Sequence, residues 1–336
     1  MGGDNAPGVV IRGANVARQR YPGIHFLMVG REEQLRRLLR PQKRLAEIVT
    51  VLPAEDVVSS EEKPALALRS GRRSSMRLAI NAVAEGKADG IVSAGNTGAL
   101  MAMAKFVLKT LPGVDRPAIA SFFPTLRGES AMLDLGANLQ CDAKNLIDFA
   151  IMGRAFAHTV LGVPEPTYAL LNVGSEELKG HEYLQEARDI LAASGDPGFR
   201  GFIEGNDITK GTVDVIVTDG FTGNIALKTA EGTAKLVSEY LSRTFRSSVM
   251  AGLGYILARP ALRKLRKRLD PRRYNGAVFL GLNGIAVKSH GGTDAVGFAH
   301  AVGVAVDMIR HGLIEKIRSD YARMTPPAPE SRAAAL

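Results

Sequence analysis

The sequence predicts an α/β protein of three layers (α/β/α), in which helices cover both faces of a mostly parallel sheet. Short apolar segments rich in β-branched residues recur along the chain and are bounded by glycine, as is typical of buried strands that turn tightly into helices. Stretches with helical periodicity lie between them. This alternation favours parallel pairing, because a crossover helix brings the next strand in with the same direction.

Six apolar segments are predicted as strands. In chain order they are IHFLMVG at 24–30, GIVSAGNTG at 90–98, SAMLDLGAN at 130–138, TYALLNVGS at 167–175, RGFIEGND at 200–207 and DVIVTDGFTGN at 214–224. Helices are predicted over residues 145–161, 181–193 and 225–245, where apolar residues recur with a period near 3.6. The sequence contains no fixed-period repeat of the kind that predicts a solenoid or a propeller.

Four of these strands end in polar tips, at residues 93–97, 134–138, 172–176 and 219–224. Ligands of parallel sheets bind where the carboxyl ends of the strands meet, so we expect the four tips to converge on one side of the sheet. Their small residues and unpaired backbone amides favour an anion, either phosphate or a developing oxyanion. For any single tip, a tight turn without a ligand is the alternative.

Composition and charge narrow the class of protein. The sequence contains no run of about 20 apolar residues, the length that a membrane-spanning helix needs. Its first residues also lack the basic region and apolar stretch of a signal peptide, so we expect a cytoplasmic location. The single cysteine, Cys141, is interpreted as structural. The formal net charge of +9 indicates an anionic partner, an anionic surface or solvated basic helix faces. Aromatic residues for base stacking are scarce, so we expect no nucleic-acid partner.

Several common site motifs are absent from the sequence. Neither GxxxxGK[ST] nor GxGxxG occurs, which disfavours nucleotide hydrolysis and the ordinary dinucleotide fold, and no GxSxG indicates a serine hydrolase. The six histidines lack HxxxH and HExxH spacing, so we expect no metal site. Asp134 and Asp219 follow strands, where aspartates bind Mg²⁺ or cap the next turn, and we favour capping.

Eight ordered motifs resemble those of the phosphate acyltransferases called the PlsX family. They are MGGDNAP from Met1, SAGNTGA from Ser93, LKTLPG from Leu108, LDLGAN from Leu133, AIMG from Ala150, LNVGSEELKG from Leu171, DGFTGNIALKTAEG from Asp219 and GLNGIAVKSHG from Gly281. The resemblance implies a fold related to phosphotransacetylases and to isocitrate and isopropylmalate dehydrogenases. It also implies a homodimer without a cofactor that makes acyl phosphate from acyl carrier protein and inorganic phosphate. A membrane glycerol-3-phosphate acyltransferase would then use the product.

The chemistry of this reaction suggests roles for several residues. Phosphate is already a nucleophilic anion and a thiolate is a fair leaving group, so the reaction needs little proton transfer. Catalysis should therefore depend mainly on positioning the substrates and stabilising the charge of the transition state. Lys179 resembles the lysine of the family's NVGxExxKG motif and is expected to supply the cation; its alternative is a solvated lysine opening a helix. Asn224 is expected to donate to the oxyanion, or to cap a helix that begins near Ile225. Lys288 and His290 form a second pair, with His290 donating to phosphate or protonating the thiolate.

The other predicted site residues bind the substrates or shape the loops around them. They are Asp4, Asn5, Ser93, Gly95, Asn96, Thr97, Asp134, Asn138, Glu204, Asp219, Thr222, Gly223 and Lys288. The carboxylates are expected to orient donors, because a carboxylate facing phosphate would repel it. Family members usually begin with a short strand ahead of MGGDNAP, so we expect the natural start to lie upstream of Met1.

Residues 250–270 combine leucines with many arginines and lysines. Pro260 predicts a break into two short helices, which would form a basic amphipathic hairpin over about 247–272. Three interpretations remain open for it: contact with an anionic membrane, docking of the acidic carrier protein, or packing in a dimer. Residues 1–323 are predicted to form one catalytic domain, and the Pro- and Ala-rich residues 324–336 a disordered tail.

Three rival functions also remain open. A phosphotransacylase that uses a short acyl-CoA would share the chemistry and the fold class. A nonenzymatic basic protein that binds RNA or lipid would explain the charge. A nicotinamide dehydrogenase would use a related fold.

Overall fold

The computed structural model describes residues 1–268 and 270–324. Its helices are α1 Gly8–Arg20, α2 Glu32–Leu39, α3 Lys43–Ala46, α4 Pro64–Ser70, α5 Ser75–Ala84, α6 Thr97–Leu108, α7 Ala143–Phe156, α8 Glu182–Ala193, α9 Gly220–Phe245, α10 Val249–Arg268, α11 Ala295–Arg310 and α12 Leu313–Met324. Its strands are β1 Phe26–Gly30, β2 Val49–Pro53, β3 Gly90–Ser93, β4 Ala118–Thr125, β5 Gly128–Leu133, β6 Tyr168–Leu171, β7 Phe199–Ile203, β8 Val215–Val217, β9 Ala277–Leu280 and β10 Ile285–Lys288.

The main sheet has eight described strands in the order β3-β10-β9-β4-β5-β8-β6-β7, and β1 and β2 pair in a small parallel sheet. The pairs β3–β10, β5–β8, β8–β6 and β6–β7 are parallel. The pairs β10–β9, β9–β4 and β4–β5 are antiparallel. With three reversals between them, β3 and β10 run opposite to β5, β8, β6 and β7.

Alternate residues of the strands pack against two layers of helices, because successive side chains of a strand point to opposite faces. On β5, Ala131 and Leu133 join a core with α7, α8, α11 and α12. Met132 lies on the other face of the sheet, in a core with α9. In a further core, α4, α5 and α6 cover Ile91 of β3 and Ala286 of β10. The predicted three-layer α/β/α fold is therefore confirmed.

All six segments predicted as strands contain one, and helices occupy the three predicted ranges. Helix α9 begins at Gly220, five residues before the predicted start. The sequence did not predict β2, β4, β9 and β10. Because β4 and β9 are the antiparallel members of the sheet, their omission made it look more parallel than it is.

The predicted break at Pro260 is wrong, because α10 continues through this residue. Proline removes one backbone donor, and the largely exposed helix leaves the freed carbonyl open to water. The hairpin is instead formed by α9 and α10, which turn at residues 246–248. The rings of Phe245 and Tyr255, 5.4 Å apart, hold its two arms together near the turn.

None of the described helices is both long enough and apolar enough to cross a lipid bilayer. Leu269 of the predicted amphipathic segment lies outside the described residues. So does the predicted tail from residue 325 onwards.

Candidate active site

Strand directions divide the predicted site residues into two groups, which lie at opposite ends of the strands. We call these two ends the two sides of the sheet. The Lys179 group follows β5, β6, β7 and β8 and comprises Asp134, Asn138, Lys179, Glu204, Asp219, Thr222, Gly223 and Asn224. The Lys288 group lies at the carboxyl ends of β3 and β10 and comprises Asp4, Asn5, Ser93, Gly95, Asn96, Thr97, Lys288 and His290.

The expectation that all four polar tips converge is therefore wrong for residues 93–97. The intervening antiparallel strands β9 and β4 reverse the direction of β3 and β10 relative to β5. Four strand spacings of about 4.8 Å also separate β10 from β8, which amounts to roughly 19 Å across the sheet. The tips of β5, β6, β7 and β8 do lie on one side.

Asp134 organises the loop after β5. Its Oδ1 accepts hydrogen bonds from the backbone N–H groups of Ile119 (2.9 Å), Gly136 (3.2 Å) and Ala137 (3.1 Å). Its Oδ2 accepts from the backbone and the side-chain amide of Asn138, at 2.7 and 3.0 Å. Burial raises the pKa of Asp134, and these hydrogen bonds oppose that rise. Asp134 and Asn138 thus use their polar groups to shape the loop.

The start of α9 fits directly against this loop. The N–H of Gly220 donates to the carbonyl of Asn138 at 2.8 Å. A β-carbon built on Gly223 would lie 1.9 Å from the carbonyl oxygen of Asp134, so no larger residue fits there without displacing the backbone. Glycine at position 223 therefore allows the first turn of α9 to approach the end of β5.

Asp219 caps α9. Its Oδ1 accepts from the backbone N–H of Thr222 at 2.9 Å, and its Oδ2 accepts from the Thr222 hydroxyl at 2.8 Å. The hydroxyl of Tyr183, on α8, donates to the same Oδ2 at 3.5 Å. Burial, together with the charge of Asp219, raises the pKa of Tyr183 to about 12. Sequence reasoning missed Tyr183, because only the tertiary fold brings α8 to the start of α9.

Asn224 lies inside the first turns of α9. Because the helix begins at Gly220 with Asp219 as its cap, the alternative role of Asn224 as a cap near Ile225 is wrong. The side chain is exposed and lies beside Gly136, on which a β-carbon would lie 3.7 Å from Oδ1 of Asn224. Within the described part of the chain, its amide has no hydrogen-bond partner. It is therefore available to donate to a ligand.

Lys179 belongs to a loop between β6 and α8 that Asn172 closes. The buried Asn172 side chain donates to the carbonyl of Lys179 at 2.9 Å and accepts from the N–H of Val173 at 2.8 Å. The Nζ of Lys179 lies 3.0 Å from Oε1 of Glu176, and both side chains are more than half exposed. This ion pair holds the pKa of Glu176 below its usual value. Lys179 is solvated, as its alternative role requires, but it does not open α8, which begins later, at Glu182.

Two further residues lie on this side of the sheet. The N–H of Glu204, directly after β7, donates to Oδ2 of Asp207 at 3.0 Å, and Asp207 pairs with Lys210 at 2.7 Å. The Cys141 thiol donates to the carbonyl of Asn138 at 3.6 Å. Burial, more than any nearby charge, raises the pKa of Cys141 to about 12, so the thiol stays protonated and weakly nucleophilic.

The N-terminal segment packs into the Lys288 group. The N–H of Asp4 donates to the carbonyl of Gly291 at 3.1 Å. Gly3 has a φ of +112° and lies against Ala94, which a side chain at position 3 would overlap. Asp4 and Asn5 are exposed. These contacts hold the segment against the ends of β3 and β10.

Lys288 is a buried lysine at the end of β10. Its side chain is only 9% exposed, and its Nζ donates to the carbonyls of Ala94, at 3.4 Å, and of Ser289. Burial lowers the pKa of Lys288 to about 8, although the nearby carboxylate of Asp4 opposes this shift. An amine with this pKa carries its charge at neutral pH and loses it under mildly alkaline conditions.

His290 is positioned by Asn275, a residue that sequence reasoning missed. Its backbone N–H donates to Oδ1 of Asn275 at 2.8 Å, and Nδ2 of the buried Asn275 donates to the Ser289 hydroxyl at 2.9 Å and the Gly297 carbonyl at 2.7 Å. The exposed imidazole accepts at Nδ1 from the N–H of Gly292, at 3.1 Å. Its Nε2 is then the protonated nitrogen and can donate.

The loop after β3 uses its polar groups within the protein. The N–H of Gly95 donates to the Ser93 hydroxyl at 3.2 Å, and Asn96 caps α6 by accepting from the N–H of Ala99 at 3.0 Å. The amide nitrogen of Asn96 donates to the carbonyls of Ser59, Ser60 and Glu62. Asn96 therefore positions the loop, and only Thr97 presents an exposed side chain.

No cluster of three or more histidine, cysteine, aspartate or glutamate side chains that could hold a metal ion occurs within residues 1–268 and 270–324. The arrangement of the Lys179 group instead suits an anion. It combines a lysine with an unpartnered amide in the first turns of α9, where the helix dipole favours negative charge.

Comparisons with known proteins relate the whole chain to enzymes of acyl transfer. A phosphotransacetylase from Streptococcus pyogenes has a similar fold, with a TM-score of 0.61 and 16% sequence identity over 91% of this chain and 92% of that one. The phosphate acyltransferase of Rhodospirillum centenum is 66% identical over 96% of this chain and 92% of its own length. That of Paramagnetospirillum magneticum is 56% identical over 97% and 93%.

The resemblance drawn from the eight motifs is thereby confirmed. The sequence model of the family described as "Fatty acid synthesis protein" matches residues 1–316, nearly the whole described chain. The chain therefore belongs to this family of fatty acid synthesis proteins.

Proposed function

We propose that the protein transfers a fatty acyl group from the thioester of acyl carrier protein to inorganic phosphate. The products are acyl phosphate, for phospholipid synthesis, and free carrier protein. Support comes from relatives named phosphate acyltransferase that are 66% and 56% identical over nearly their full lengths. The observation that carries the proposal is that Lys179, on the loop after β6, and the free amide of Asn224, in the first turns of α9 after β8, follow adjacent parallel strands.

In the proposed reaction a phosphate oxygen attacks the thioester carbonyl carbon. The new C–O bond forms, the carbonyl oxygen becomes an oxyanion, and collapse of this intermediate breaks the C–S bond. The thiolate leaves and takes a proton from water. Lys179 binds the phosphate, and the amide of Asn224 stabilises the oxyanion.

The ion pair of Lys179 with Glu176 is compatible with this role. Solvent screens an exposed pair of this kind, so phosphate can displace the glutamate at little cost. Oδ1 of Asp134 and of Asp219 each accepts a backbone hydrogen bond within the loops, which partly satisfies the charge of these carboxylates.

Self-association would bring the Lys179 group and the Lys288 group together. Within one chain they lie on opposite sides of the sheet, whereas in a two-fold dimer one copy can present the opposite side to its partner. The apolar residues Leu236, Val237 and Tyr240 of α9 are more than half exposed. They supply an apolar surface for a homodimer.

We place the protein in the cytoplasm, at the surface of an anionic membrane that holds the glycerol-3-phosphate acyltransferase using its product. Helix α10 exposes Leu253, Ile256 and Leu257 beside basic residues, a combination that suits the membrane interface. Flotation with anionic liposomes should decrease in the variant Leu253→Glu/Ile256→Glu. It should not decrease in Leu126→Glu/Ile190→Glu, which changes exposed apolar residues elsewhere. Equal flotation of both variants would exclude α10 as the contact.

The function is tested by incubating the protein with palmitoyl carrier protein and phosphate and trapping acyl phosphate as its hydroxamate. We expect acyl phosphate to form in proportion to the carrier protein released. Turnover of acetyl-CoA without turnover of the carrier thioester would instead establish the phosphotransacylase alternative. No acyl phosphate from either thioester would refute both.

A further inference from the structure

A groove on the surface of α4, α5 and α6 belongs to neither group of predicted site residues. It has a volume of about 500 Å³ and is lined by Leu68, Arg69, Arg72, Arg77, Asn81 and Phe106. We call it the arginine groove. It lies between helices that pack together through the buried side chains of Ala67, Ile80 and Leu100, so its walls are fixed by the core beneath it.

The turn between α4 and α5 places the arginines around the groove. A β-carbon on Gly71 would lie 2.8 Å from Cε of Met103, so the turn lies directly on α6 and tolerates no larger residue without a shift. Arg69 and Arg72 flank this turn and are exposed. Arg77, one helical turn further on, reaches over the same depression from α5.

The three arginines lack carboxylate partners. Among the described residues, no acidic side chain forms an ion pair with Arg69, Arg72 or Arg77. The Nε of Arg77 instead donates to the amide oxygen of Asn81 at 3.2 Å. Burial lowers the pKa of Arg77, and the like charge of the nearby Arg72 lowers it further. A concave site with three unneutralised guanidinium groups would be stabilised by a partner carrying several carboxylates.

The floor of the groove is apolar. Phe106 is 62% exposed, and the Arg77 guanidinium lies 5.1 Å from the centre of its ring. Leu68 is half-buried beside it. Arginine and aromatic side chains are enriched where protein partners bind, because they combine a large apolar surface with directed donors. The groove therefore matches an acidic helix that also carries apolar residues.

We propose that the arginine groove is the docking surface for the acidic acyl carrier protein. This inference rests on the proposed function and names the surface that receives its protein substrate. The carboxylates of the carrier would pair with Arg69, Arg72 and Arg77, and its apolar side chains would cover Phe106 and Leu68. Thr97, at the start of α6, lies about 14 Å along the helix from Phe106. The docked carrier would thus sit beside the Lys288 group of the chain that binds it, and its thioester would reach the Lys179 group of the second copy in the proposed homodimer.

The basic residues of α10 are the competing surface for the carrier. Arg259, Arg263 and Lys264 are exposed on one protruding helix, whereas the arginine groove combines its charges with a concave apolar floor. Shape and charge together favour the groove, because specific interfaces need a desolvated apolar centre as well as a charged rim.

The test is charge reversal in the groove, Arg69→Glu/Arg72→Glu, in the full chain. The matched control is Arg37→Glu/Arg40→Glu, which makes the same change of net charge at exposed positions on and just after α2. A third variant, Arg259→Glu/Arg263→Glu, tests α10. For each protein the KM for palmitoyl carrier protein and the kcat are measured, together with turnover of palmitoyl-CoA. Direct binding of fluorescently labelled holo carrier protein is measured by anisotropy.

We expect the groove variant to raise KM and Kd for the carrier at least about tenfold, to leave kcat within about twofold, and to leave turnover of palmitoyl-CoA unchanged. Equal effects in the α2 control, or a larger effect in the α10 variant, would overturn the proposal. So would an equal loss with palmitoyl-CoA, which would mean that the groove binds the phosphates of CoA. If wild-type protein forms no acyl phosphate, the proposed function fails, while the anisotropy titration still decides whether the groove binds the carrier.

Discussion

The two lysines of the candidate site differ in environment, and the difference separates their roles. Lys179 is half-exposed and its exposed ion pair with Glu176 is weak, so its charge can move to a substrate. Lys288 is buried among backbone carbonyls, and its charge is costly. Both residues stand in motifs that resemble those of one family, but only their surroundings show that one can exchange partners easily.

Replacing Lys179 with alanine should lower kcat/KM by at least about thirtyfold, the effect of losing about 2 kcal/mol of transition-state stabilisation. Steady-state turnover of palmitoyl carrier protein measures this. Lys210→Ala is the matched control, because Lys210 pairs with Asp207 at 2.7 Å in the same i,i+3 arrangement and is equally exposed. Near-normal turnover of Lys179→Ala would remove this residue from the mechanism.

Lys288 should make stability depend on pH. Its folded-state pKa of about 8 lies below the ordinary value of 10.5, so the unfolded state binds more protons between these values and stability rises with pH in that window. The variant Lys288→Met should therefore be more stable than the wild type at neutral pH, by up to about 3 kcal/mol. The difference should shrink toward about pH 10.

Urea unfolding of both proteins at neutral pH and at about pH 9.5 measures this difference. A difference that stays the same at the two pH values would mean that burial of the Lys288 charge is not its cause.

At the scale of elements, the start of α9 depends on its contact with the loop after β5. The sequence indicated the strand, the turn and the helix, because DVIVTDGFTGN carries an apolar run, a capping aspartate and two glycines. The reason for the second glycine, Gly223, is the carbonyl of Asp134, which belongs to a different strand end far earlier in the chain. No local pattern contains that information.

Gly223→Ala should destabilise the protein by at least about 2 kcal/mol, because the new methyl group would collide with the Asp134 carbonyl. Gly232→Ala, in the same helix, should stabilise it by up to about 1 kcal/mol, because nothing lies near that position and alanine favours helix. Thermal unfolding of the two variants measures both effects. Equal stability of the two would contradict the close packing of α9 on β5.

At the scale of the whole molecule, the two groups of site residues can act on one substrate only if two copies meet. If His290 of one copy donates to the phosphate that Lys179 of the other copy binds, Lys179→Ala and His290→Ala should each lose activity as pure proteins. Unfolding and refolding them together should restore about a quarter of wild-type activity, because half of the random dimers are mixed and each mixed dimer has one intact site. An active His290→Ala protein would confine the reaction to the Lys179 group. Two inactive variants that do not recover on mixing would show that no site is shared between two copies.

The sequence by itself determined the fold class, six of the strands and the family. These features depend on local hydrophobic period, on glycine at turns and on motifs in a fixed order, all of which are written along the chain. Only the tertiary structure decided which polar tips share a side of the sheet, since that depends on the direction of β4 and β9 between them. Pairing direction is set by contacts between residues far apart in the chain, and no periodicity within one segment records it.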